Sequence, residues 1–116
     1  MEVIDNAIQP RKYSVSRTVE LRHNEDIYMV EFMNCASGEY NFAIIIYVFY
    51  SSGNHDLVEL DFSYNDIKAI DYSMVSFALS QFNLNDAQQS LFLSCADVIE
   101  SHWSEYFYEC ASFNGI

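Results

Sequence analysis

From Phe42 to Tyr50 the chain runs FAIIIYVFY, nine residues without charge, glycine or proline, and turn-forming residues flank it on both sides. A membrane-spanning helix needs roughly 20 apolar residues, and the Ile, Val, Phe and Tyr of this run favour a pleated strand over a helix. The run is therefore expected to be the central strand of a sheet, with the rest of the chain supplying its neighbours and its cover. The 116 residues have room for one domain, large enough to bury roughly 65% of the unfolded surface without a metal or disulfide. A hydrophobic content of 51% excludes disorder even at a formal charge of −12.

The neighbours follow from alternation. Tyr13 to Arg22 puts Tyr13, Val15, Val19 and Leu21 on one face and polar residues on the other, as a strand with one buried face does. His23-Asn24-Glu25-Asp26 is a polar interruption of hairpin length. Ile27 to Met33 then carries apolar residues on both faces apart from Glu31. After the central run and the turn Ser51-Ser52-Gly53-Asn54, Leu57 to Phe62 turns Val58, Leu60 and Phe62 inward and Glu59 and Asp61 outward. Beyond Ser63 the period becomes helical. Ile67, Ile70, Met74, Phe77, Ala78 and Phe82 share a face, with a break near Tyr72-Ser73, and a long helix is expected from about Asp86 to Cys110. The fold class is α+β: a four-stranded antiparallel meander followed by two C-terminal helices packed on one face. A single domain divides into an N-terminal arm laid on the core (1–12), a sheet (13–62) and a helical part (63–116). One helical layer covers one face only, so the second sheet face needs the arm or, failing that, a homodimer partner.

The marks of common chemistries are absent. Gly38, Gly53 and Gly115 form no phosphate-binding loop or nucleophile elbow. His23 and His55 fall in turns and His102 on the apolar side of a helix, which points to no catalytic residue. His55, Asp56, Glu59 and Asp61 lack the ligand density of a calcium loop and the His or Cys grouping of a zinc site, and read as a solvated strand face. No metal or other cofactor is expected. Cys35, Cys95 and Cys110 have no metal-ligand spacing and are odd in number, which suits reduced, buried thiols. The opening MEVIDNAIQP lacks the positive charge and apolar run of a signal peptide, implying a cytoplasmic location in the host cell.

The charge is unevenly placed. Arg11, Lys12, Arg17 and Arg22 lie in the first 22 residues, whereas from His23 onward fourteen acids stand against Lys68 alone. Such a field repels nucleic acid and anionic lipid and attracts basic surfaces, excluding direct nucleic-acid or membrane binding. On the last helix Asp86, Asp97, Glu100, Glu105, Tyr108 and Glu109 share a side with several serines, and no Lys or Arg stands four residues after any of the acids. With Glu59 and Asp61 they form the candidate partner-binding set. In general character the chain resembles small acidic phage-encoded anti-defence inhibitors, of the anti-CRISPR-like kind, and other DNA mimics, a likeness of composition. It implies a stoichiometric inhibitor, not an enzyme, bound to the basic surface of a nucleic-acid-binding protein. An immunity protein or antitoxin neutralising a basic toxin is the alternative, and a structural homodimer subunit a further one. An elongated row of carboxylates favours the mimic, and a local cluster around an aromatic favours the immunity protein. If the helix acids form the working surface, removing charge at Asp97, Glu100, Glu105 and Glu109 should weaken binding and leave the fold intact or slightly more stable.

Overall fold

A computed structural model describes residues 2–11, 14–35, 42–68, 70 and 73–113, with side chains over 17–33, 42–63, 65–68, 70 and 73–108. Among the described residues five strands form one antiparallel sheet whose spatial order is the chain order: β1 (Glu2–Arg11), β2 (Ser14–His23), β3 (Asp26–Cys35), β4 (Phe42–Phe49) and β5 (His55–Phe62). The expected four-stranded meander is β2 to β5. The segment expected to lie as an arm on the core instead extends the sheet: β1 pairs with β2 along its length, with a register irregularity between Val3 and Asp5. Position 17 falls on the apolar side by strict alternation, so β2 carries Arg17 on the same face as Val19 and Leu21.

Turn chemistry sets the register. β2 and β3 meet through Asn24-Glu25, with Asn24 at φ 57°, a left-handed conformation that Asn tolerates better than most residues. The β4–β5 turn closes through Tyr50 N to Asn54 O (2.9 Å) and Gly53 N to Tyr50 O (3.0 Å), with Gly53 at φ 96°. The Ser51 amide donates to Asp26 Oδ1 at 2.9 Å, joining the two turns at one end of the sheet.

Among the described residues four helices follow: α1 (Tyr64–Lys68), α2 (Met74–Gln81), α3 (Asp86–Ser94) and α4 (Ala96–Phe113). The first expected helix is split where propensity weakens, and Ser73 caps α2 by accepting from the Ser76 amide at 3.1 Å. Asn85 and Gln88 form a reciprocal capping box at the start of α3 (2.8 and 3.0 Å). The second expected helix is interrupted at Cys95, whose amide turns to Phe92 O at 3.1 Å. Ser94 Oγ donates back to Ser90 O at 2.8 Å, the kind of local bond that weakens and often bends helices.

All of this packs on one sheet face. Val19, Leu21, Val30, Phe32, Ile44, Ile46, Val48, Val58 and Leu60 meet Met74, Leu91, Phe92, Cys95, Ile99, Tyr106 and Phe107 in a single core. α4 lies over β2 and β3, α3 over β4 and β5, and α2 packs on α4. On the second face Thr18, Glu31, Ala43 and Ile45 are buried, Met29, Met33 and Tyr47 are half-buried, and Phe49 is exposed.

Candidate partner-binding surface

The inward side of α4 is fixed by aromatic contacts, and this determines what its outward side presents. Tyr106 is buried, meets Phe32 edge-on at 5.1 Å, stacks on His102 at 5.1 Å, and has the Arg17 guanidinium 4.9 Å from its ring centre. Phe107 meets Phe42 edge-on at 5.4 Å. With Val98, Ile99, Tyr106 and Phe107 turned in, Asp97, Glu100, Ser101, Ser104, Glu105 and Tyr108 are turned out and exposed. From Asp97 to Tyr108 this row spans about 16 Å along the helix axis.

The acids in the row differ in standing. Glu100 is tied down: its Oε1 accepts from the Val75 amide at 2.8 Å, satisfying one of the orphan donors at the start of α2. The expectation that its removal would leave the fold unharmed or more stable is therefore corrected, because Glu100 links α4 to α2. The interruption at Cys95 puts Asp97 in the first turn of α4, where the amide dipoles favour an anion, and Asp86 has the same relation to α3. Glu105 lies more than two turns before the end of α4 at Phe113 and is exposed, as is Tyr108. The Glu109 side chain lies outside the described residues.

Glu59 and Asp61 do not join this row, because they belong to the second sheet face, on the side away from the helices. There the register aligns Thr18, Glu31, Ile45 and Glu59 across four strands, with Tyr47 opposite Leu57 in the next rung. The Glu59 carboxyl is held above the ordinary carboxylate range, first by partial desolvation and then by the charge of Asp61, a hydrogen bond with it, and the charge of Glu31. The candidate acids are thus divided among a row on α4, Asp86 apart from it at the start of α3, and a cluster around Ile45 and Tyr47. Glu31 was legible as the one charge in an apolar strand, but its place beside Glu59 required the register.

A further feature lies at the start of α4. A cleft of about 420 Å³ is lined by Leu21, His23, Ser94, Asp97, Val98, Ser101 and His102. The two histidines and two serines come from three elements, and no local spacing announces their convergence. Among the described residues no group of three or more His, Cys, Asp or Glu could hold a metal ion, and no helix is long and apolar enough to cross a membrane. No protein-family model, curated protein or solved structure matches the chain.

Proposed function

We propose that this protein is a small stoichiometric inhibitor that binds the basic, nucleic-acid-binding surface of a partner protein in the host cytoplasm, in the manner of a nucleic-acid mimic or phage anti-defence protein. The observation that carries the reading is the outward side of α4, an exposed row of carboxylates and hydroxyls in a chain with no Lys or Arg after Lys68. Helical carboxylates three and four residues apart stand about 5–6 Å from one another, near the spacing of phosphates along a strand. Serine and tyrosine hydroxyls between them supply polar contacts of the kind a nucleic-acid backbone makes. The role is one of binding and not catalysis.

The test begins with affinity capture from host lysate at low salt and identification of what is retained. Asp97→Asn, Glu105→Gln and Glu109→Gln together, with Glu100 kept, should weaken the captured partner at least tenfold and flatten the salt dependence of its association rate. Unchanged affinity at low salt would reduce the row to solubilising surface. The acid cluster around Ile45 and Tyr47 favours the immunity-protein reading. If Glu59→Gln with Asp61→Asn abolishes binding and the α4 triple variant does not, that second reading replaces the first.

A further inference from the structure

We infer that the cleft between the end of β2 and the start of α4 is a seat for one cationic side chain of a protein partner, an arginine or lysine, beside the acidic row. The inference deepens the proposed function and rests on it for the nature of the partner. The cleft is within the usual range of small-ligand sites, about 300–1,000 Å³. Of its polar groups Asp97 and Ser94 are committed to accepting, and His23, Ser101 and His102 can each accept as well as donate. Asp97, being a carboxylate, only accepts. Ser94 has spent its proton on Ser90 O at 2.8 Å, so its oxygen offers lone pairs and no donor. His102 lines the cleft with its Nδ1 shielded from water and without a hydrogen-bond partner, an arrangement that stability alone does not favour. The tautomer that carries its proton on Nδ1 leaves Nε2 as an acceptor for a guest. Leu21 and Val98 give the cleft apolar wall. Acceptors over apolar wall suit a side chain that is aliphatic along its stem and donor-only at its tip, as Arg and Lys are. Arg22 sits between Leu21 and His23 in sequence but alternates to the other side of the sheet. An anion, which a bare helix start would attract, meets Asp97 in the first turn of α4.

The probe is Nα-acetyl-arginine amide, titrated up to about 50 mM at pH 8 into isotope-labelled protein, with the citrulline analogue and inorganic phosphate as counter-probes. Arginine amide should shift the amide resonances of Leu21, His23, Asp97, Ser101 and His102 in a saturable way, and citrulline amide should bind at least tenfold more weakly. Asp97→Asn and, separately, His102→Phe should each weaken the arginine probe several-fold while the remaining spectrum stays that of the folded protein. Shifts spread over the whole acidic surface, equal binding of citrulline, or a response to phosphate alone would overturn the inference. Its failure is distinguishable from failure of the proposed function. If the probe does not seat in the cleft while the Glu105→Gln and Glu109→Gln pair still weakens the captured partner, the cleft inference falls and the acidic-row reading stands. If the probe seats there but no partner responds to the row, the reverse holds.

Discussion

Glu100 and Asp97 lie on the same exposed side of α4, three residues apart, and the structure gives them opposite tasks. Glu100 accepts from the Val75 amide, a charge-assisted bond at a helix start. Glu100→Ala should therefore destabilise the fold by about 1–2 kcal/mol and Glu100→Gln by less. Glu105→Gln, with no such bond among the described residues, should stay within about 0.5 kcal/mol. Urea denaturation of the three variants checks the order, and equal midpoints would mean the Val75 bond contributes nothing in solution. Cys95 gives a second residue-scale prediction. Burial pushes its thiol up to about 12, whereas an unfolded cysteine ionises near about 8.5. Between these values the folded state holds the extra proton, so stability should fall as pH rises from about 8.5 toward 12. In the native protein at pH 8, alkylation mapped by peptide mass spectrometry should leave Cys95 unmodified until denaturant is added.

At the scale of elements, most of the architecture was legible because period and position agreed. β2 and β5 follow an alternation that leaves little choice of face, and the inward residues of β5 are Val58, Leu60 and Phe62 as the pattern requires, whereas β3 and β4 are apolar on both faces and fit between them. What escaped was non-local. β1 is a strand because β2 offers it an edge, which the residues Met1 to Pro10 do not announce. The interruption at Cys95 involves neither Gly nor Pro and so leaves no conspicuous sequence mark. The candidate site was legible as a charge pattern on α4, but its division into a row, an acid cluster and a cleft depends on register and helix packing. The cluster makes its own prediction. Because the Glu59 pKa is raised on folding, the folded state binds more protons in the window just above the ordinary carboxylate value, and stability falls as pH rises through it. Glu59→Gln should therefore stabilise the protein at pH 7, by no more than about 0.5 kcal/mol for a side chain this exposed, and the gain should vanish near pH 3. Thermal melts of both proteins across pH test the sign.

For the whole molecule, the second sheet face and the net charge bear jointly on assembly. A symmetric dimer through that face would set one Glu31–Glu59–Asp61 cluster against another, in two chains each carrying −12. Sedimentation velocity should accordingly find a monomer at pH 7.5 in low salt, with self-association appearing as the pH falls and Glu59 takes up its proton. A stable dimer at pH 7.5 would restore the homodimer subunit as a serious reading. The order of the sheet has a consequence during synthesis as well. Every strand pairs with its immediate predecessor in the chain, so the sheet can zip hairpin by hairpin with short loops to close, a topology that favours rapid folding. The helices that cover Phe32, Ile44 and Ile46 all come later, and until α4 has left the ribosome the nascent sheet carries a bare apolar face. For that interval the chain is exposed to chaperones and to its own copies, and a ribosome stalled before α3 would release a fragment prone to aggregate.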